Sequence, residues 1–228
     1  MHMPDGVLDP VTLSVASAVS VGAIAWSARE LRRGDVRWGL AAGGAGLVLV
    51  AHLADVPLYG PYSAHVIGGT LLAAALGPWM AMLTMAVALA LEALAWGDGG
   101  VAALGVNFVV MGAAGVLAGW GVYRAVLTMV ARRRGPGADD ATSWWRVPAA
   151  AAGAWVSVMA SALTLAVLSI VGGVTGIVLR EVVAPHAAWG LLEAAASALI
   201  VAAGVAVTRA LRARRVGSIV EESLASRA

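Results

Sequence analysis

The chain has 228 residues, of which 61% are hydrophobic and 12% charged, with a formal net charge of +2. A soluble domain carries about 25% charged residues, so this chain has too little polar surface to cover itself in water and belongs in a membrane. Cys and Lys are both absent, which excludes disulfides, thiol nucleophiles, Cys–zinc sites, a lysine-bearing phosphate loop and a Schiff-base lysine. If ATP is used, another chain must supply its site.

Apolar runs approaching the ~20 residues that cross a bilayer predict seven spans, at 10–28, 36–54, 65–77, 79–96, 101–123, 147–172 and 186–208. The third is short, and Gly77-Pro78 interrupts it, which suits a broken or buried helix. Residues 131–146 form the one clear polar linker, 209–228 a charged tail, and the whole of 1–228 reads as a single membrane domain. Aliphatic periodicity says little here, because lipid-facing and packed faces are both apolar.

The arginines orient the chain. Arg29, Arg32, Arg33 and Arg37 follow the first span. Arg124, Arg132, Arg133, Arg134 and Arg146 follow the fifth, and Arg209, Arg212, Arg214, Arg215 and Arg227 the seventh. Only Arg180 falls on the other side, so the N-terminus is expected outside and the C-terminus inside. Because the arginines lie between apolar spans, the positive charge does not point to nucleic acid. Ala16-Ser17-Ala18 resembles a signal-peptide cleavage site. No Arg precedes it, however, and Asp5 and Asp9 stand before the apolar run, so the terminus is expected to be retained.

All four histidines, His2, His52, His65 and His186, fall at the outer ends of spans. His2 follows the terminal residue in Met1-His2-Met3-Pro4-Asp5-Gly6. The α-amino nitrogen and the His2 amide nitrogen close a five-membered ring on a metal, and the amide with imidazole Nδ1 closes a six-membered one. A second imidazole completes a square of nitrogens, an arrangement suited to Ni(II) or Cu(II). The alternative is that position 2 is an accident of the translation start. His65, in Ser63-Ala64-His65-Val66-Ile67-Gly68-Gly69, is the candidate second imidazole, or a helix-start residue bonding a loop. Glu92, Asn107 and Glu193 lie in the outer halves of their spans, beneath the histidines, and Asp98 tips the Gly97-Asp98-Gly99-Gly100 turn. Intramembrane polar residues are costly and usually functional. These either orient metal-bound imidazoles or join helices by hydrogen bonds.

These residues, with Leu76-Gly77-Pro78-Trp79, Gly105-Val106-Asn107 and the stretch from His186 to Glu193, resemble the CbiM/NikM family. Its members are substrate-specific membrane subunits of energy-coupling factor (ECF) transporters, of the ABC type, for cobalt and nickel. The likeness runs in order from Met1 to about Thr208. It implies an all-α bundle of seven transmembrane helices with the N-terminus inserted into an outer metal pocket. It implies Co(II) or Ni(II) as transported substrate, held by the Met1 amine, the His2 amide and imidazole, and the His65 imidazole. Around them would stand His52, Asp98, Asn107, Glu92 and Glu193, with His52 open also as a competitor of His65 for the fourth ligand.

The implied partners are an EcfT-like transmembrane coupling subunit, cytoplasmic ATPases and often a small accessory membrane subunit, in the cytoplasmic membrane of a bacterium or archaeon. The implied role is capture for ATP-driven uptake, not catalysis; a cobalt substrate would link it to cobalamin biosynthesis. The chain departs from the family pattern with Met3 for Ile, His52 and Asp55 for Gln and Asn, and Val110 for a second Asn. The alternative is an ion-coupled secondary carrier using Glu92 and Glu193. An intramembrane hydrolase finds no G-x-S-x-G or H-E-x-x-H motif to support it. Small residues spaced by four, Ser14, Ala18 and Gly22 and then Ala42 and Gly46, offer rows for close helix contact.

Overall fold

The computed structural model describes residues 1–32, 37–60, 62–174 and 179–225; Arg33 and Arg227 of the arginine pattern lie outside them. Helix α1, Pro10–Leu31, starts where Asp9 caps it. Asp9 Oδ1 accepts from Val11 N at 2.8 Å and Thr12 N at 3.0 Å, and Pro10 occupies the first helical position, where no N–H is needed. The Thr12 hydroxyl holds the Asp9 carboxyl below the usual carboxylate range. Its inner face is Thr12, Ala16, Ser20 and Ser27.

Helix α2, Trp38–His52, ends at the His52 side chain. A hairpin of β1, Val56–Tyr59, and β2, Tyr62–Ala64, follows, pairing Val56 with Ala64 and Pro57 with Ser63. It is the one β element among the described residues, and the hydropathy pattern gave no sign of it. The hairpin delivers the chain to His65 and an extended lead into α3, Gly69–Leu76. At eight residues α3 covers about 12 Å, too little for a ~30 Å hydrocarbon core. The expected third span is therefore part extended chain and part short helix. Gly68 and Gly77, at φ +73° and +81°, bound it in left-handed conformations that only glycine adopts freely, and Pro78 begins the next helix.

Helix α4, Pro78–Leu91, runs into a π-helical turn, Glu92–Trp96. After the Gly97–Ala103 turn come α5, Leu104–Asn107, a π-helical stretch, Phe108–Gly115, and α6, Val116–Arg134. These last three form one apolar run of 31 residues. Helix α7 is Arg146–Val171 and α8 is Leu179–Ala225, with Pro185 inside it. Five helical segments are long and apolar enough to cross a membrane: Pro10–Leu31, Pro78–Trp96, Leu104–Arg134, Arg146–Val171 and Arg180–Val216. Helix α2 is apolar but shorter. The chain is thus a predominantly helical membrane protein.

Helix α7 packs against α3, α6 and α8. In lipid, apolar surface alone does not drive helices together; close backbone approach does. A Cβ on Gly153 would stand 2.6 Å from Gly119 O, and one on Gly119 would stand 3.0 Å from Gly153 O. These glycines bring α6 and α7 into direct backbone contact. Ser161 Oγ donates to Val110 O at 2.9 Å, where the π stretch loosens the ladder. At the arginine-rich end the linker folds onto α8. Arg212 pairs with Asp140 at 3.0 Å, and Arg209 Nε donates to Thr142 O at 2.8 Å. Hydrogen bonds from Thr142, then the Arg212 contact, hold the Asp140 carboxyl down at about 2.

Candidate metal centre

The N-terminal segment is packed into the bundle. Met1 and Met3 are fully buried and His2 nearly so. Asn107 clamps the Met3 backbone from both sides: its Oδ1 accepts from Met3 N at 2.7 Å and its Nδ2 donates to Met3 O at 3.1 Å. Gly100 N also donates to Met3 O, at 2.9 Å, and Asp5 Oδ1 accepts from Ala103 N at 3.0 Å. The segment thereby lies as an extended strand against the 98–107 turn. Gly99 and Gly100 are glycines because a side chain there would collide with it: a Cβ on Gly99 would meet Asn107 Nδ2 at 2.8 Å and His2 at 3.3 Å. In the sequence Asp5 stands out only as an acid before the first apolar run; its clamping role is unmarked because Ala103 is 98 residues away.

The Met1 amino group donates to Ser63 Oγ at 3.1 Å and lies 4.0 Å from Asp55. Burial pulls it down from 8.0 to about 5, against the opposing pull of Asp55. At neutral pH it is therefore an uncharged amine with a free lone pair. Ser63 is positioned for this contact by β2.

Three imidazoles converge next to this amine. His2, His52 and His65 each present a ring nitrogen, and these atoms all lie within 4.8 Å of one another. The His2 and His65 rings stack at 4.6 Å, and the His52 and His65 centroids are 4.0 Å apart. His65 Nδ1 faces Val66 O at 3.2 Å, so a proton on Nδ1 leaves Nε2 as a lone-pair donor. That Nε2 is buried with no hydrogen-bond partner, and so is His52 Nε2. A buried polar atom left unpaired is expensive, and two such nitrogens within one cluster make it a candidate for holding a cation. The carboxylates stand behind the rings. Glu92 Oε2 is 3.1 Å from His2 Nε2, Glu92 Oε1 is 2.8 Å from His52 Nδ1, and Asp98 Oδ1 is 3.1 Å from His2 Nδ1. The π-helical turn that begins at Glu92 ends on Gly97 in a left-handed conformation, which reverses the chain so that Glu92 and Asp98 both reach His2. Such π turns recur at functional sites.

The remaining candidates take different places. Glu193 touches no histidine. Its two carboxylate oxygens accept from Ile67 N at 2.8 Å and Gly68 N at 2.9 Å, which anchors the lead that carries His65. His186 stands outside the cluster: its Nδ1 faces Val182 O at 2.6 Å and its Nε2 faces Ser63 O at 3.2 Å, so no ring nitrogen is left for a metal. His52, expected either around the site or as a competitor of His65 for the fourth ligand, lies inside the cluster.

A helical membrane protein with a buried nest of nitrogen donors at one end, backed by carboxylates, has the architecture of a transition-metal-binding membrane subunit. The chain belongs to the CbiM family, the cobalt uptake substrate-specific transmembrane region, which matches residues 2–211. A putative fused nickel transport protein NikMN of Archaeoglobus fulgidus is 36% identical over 126 residues, covering 55% of this chain and 42% of that one. A cobalt transport protein CbiM of Sorangium cellulosum is 32% identical over 141 residues, 59% of this chain and 60% of that one. The aligned region thus spans about half the length of such curated relatives. Among solved structures, a truncated transition metal transporter superposes with a TM-score of 0.74 at 28% identity, over 93% of this chain and 99% of that one.

Proposed function

We propose that this chain captures Co(II) or Ni(II) at the histidine-bearing end of the bundle, as the substrate-binding subunit of an ECF-type importer. The observation that carries the reading is the convergence of three buried imidazoles beside a buried amine. The Met1 amine, the His2 amide and Nδ1, and His65 Nε2 form the ligand set, with the two chelate rings at the terminus arising from covalent geometry alone. Binding turns His2 Nδ1 from Asp98 to the metal and displaces the amide proton, so capture is favoured as pH rises. Glu92, Asp98 and Asn107 orient the terminus and the rings, and Glu193 holds the loop of His65. His52 Nε2 is the competing fourth ligand, since Glu92 orients its ring in the same way.

Seven membrane segments with the histidine end outside follow from the arginine pattern, with residues 65–77 as a part-extended third segment. A coupling subunit, cytoplasmic ATPases and a small membrane subunit would supply energy and release. The exposed small-residue rows on α1 and α2 suit close helix docking. Nitrogen ligands favour nickel over cobalt in general.

The test is metal content after purification from medium holding both metals, comparing the native terminus with a form bearing two residues before Met1. The expectation is about one metal per chain in the first and none in the second. Equal loading refutes the amino-terminal chelate, and no loading in either refutes metal capture and favours the ion-coupled carrier.

A further inference from the structure

A second feature, running along the bundle from its arginine-rich end, is argued independently of the metal reading. Helices α2, α3 and α8 do not close on one another. Between them runs an apolar groove of about 680 Å³, within the ~300–1,000 Å³ range of small-molecule sites. Its floor is buried, with Val48, Leu72 and Val205 each at 6% exposure or less, while Leu40, Leu47 and Ile200 stand on its rim at 46%, 58% and 51%. Along α2 it extends from Leu40 to Ala51, about 16 Å at 1.5 Å per residue. That is close to half of a ~30 Å hydrocarbon core, the reach of one leaflet.

The arginine-rich end of this groove is polar. Arg146 and Tyr123 line it there. The Arg146 guanidinium lies 5.6 Å from the Tyr123 ring and makes no ion pair among the described residues. The Tyr123 hydroxyl is buried with no hydrogen-bond partner. Arg37 closes the other side, its Nη2 donating to the carbonyl of Ala75, a groove residue, at 2.8 Å. A leaflet-length apolar slot thus ends at two arginines and an unpaired phenol.

We infer that this groove binds an anionic phospholipid, one acyl chain lying between α2 and α8 and the phosphate at Arg146, with the Tyr123 hydroxyl donating to a lipid oxygen. The charge selects the occupant. A neutral lipid fills the slot equally well but leaves the Arg146 charge without a counter-ion, whereas an acidic headgroup pairs with it, and the leaflet on the arginine-rich side is the one in which acidic lipids concentrate the potential.

The test is native mass spectrometry of the whole chain in detergent, titrated with phosphatidylglycerol and, separately, phosphatidylcholine. Wild type is expected to retain phosphatidylglycerol about fivefold better, the scale of one arginine near an acidic lipid surface. The double variant R146Q/Y123F should lose the preference while still binding both lipids weakly. Gly204→Leu fills the slot, and an added Cβ there meets nothing within 4 Å, so it should fold and lose both lipids; it decides the matter if the double variant fails to fold. Equal retention of the two lipids by wild type overturns the proposal, as does a preference that survives Gly204→Leu. A photo-crosslinker at position 204 of the assembled transporter should label lipid; labelling only a protein helix assigns the groove to a partner subunit and overturns it too.

Discussion

Gly100→Ala isolates the docking of the N-terminal segment from the folding of the bundle. Gly100 is not among the left-handed glycines, so alanine is allowed there by its backbone, and only space is at issue. Its Cβ would fall under 3.0 Å from Asp5 Oδ1, Cγ and backbone N. The carboxylate can rotate away, but the backbone nitrogen cannot. Inserting a methyl into a filled site costs about 1–3 kcal/mol, and here the methyl meets the backbone nitrogen of Asp5 as well as its carboxylate. The contacts put at risk are local to the terminus. They are the Gly100–Met3, Ala103–Asp5 and two Asn107–Met3 hydrogen bonds, each worth about 1 kcal/mol. The strain therefore loosens residues 1–5 before it unfolds any helix, and the metal affinity falls by about 5- to 150-fold. Calorimetric titration of Ni(II) into detergent-purified protein measures this. Gly121→Ala, where an added Cβ meets nothing within 4 Å, serves as control, and helical circular dichroism against temperature reports on the bundle. Affinity within about twofold of wild type in Gly100→Ala would show that the terminus does not dock as described.

Two further outcomes follow from other parts of the structure. Gly119→Ala places a Cβ against Thr70 Oγ1 and 3.0 Å from Gly153 O; it should separate α6 from α7 and destabilise the bundle by roughly 3 kcal/mol, seen as a lower thermal midpoint with or without metal, and an unchanged midpoint contradicts the backbone contact. The Met1 amine sits at about 5 when docked against 8.0 for the free group, so between those values the undocked terminus binds a proton that the docked one does not. Docking must then weaken as pH falls from 8 toward 5, by up to about tenfold per unit, and level off below 5, while capture goes on weakening because the metal must still displace protons from the amine and the amide. Affinities at pH 8 and 7, where a free imidazole is already largely neutral, check this, since the terminal amine and the amide must both lose a proton there, and no change between them would refute the chelate.

Much of the site was legible in residue order because its first part is covalent. An amine, an amide and an imidazole on adjacent residues form chelate rings whatever the fold, and the charge sparsity and one-sided arginines set the membrane class and an expected orientation without any packing information. Asn107 and Glu92 stood out because polar groups in apolar spans are costly wherever they occur, and Asp98 because it tips a glycine turn between two spans. Tertiary structure decided the rest. His52 joins His2 and His65 across 50 residues of chain, and hydropathy carries no information on which helix ends meet. Glu193 serves the His65 loop instead of a ring because α8 passes behind Ile67 and Gly68. The Gly77-Pro78 break made the shortness of α3 legible, but the hairpin at 56–64 and the extended lead to α3 escaped notice because an apolar stretch interrupted by glycine reads alike as a span or as extended chain. The α2–α8 groove was invisible for the same physical reason: in a bilayer, the side chains that face lipid and those that face protein are equally apolar, so only the fold says which is which.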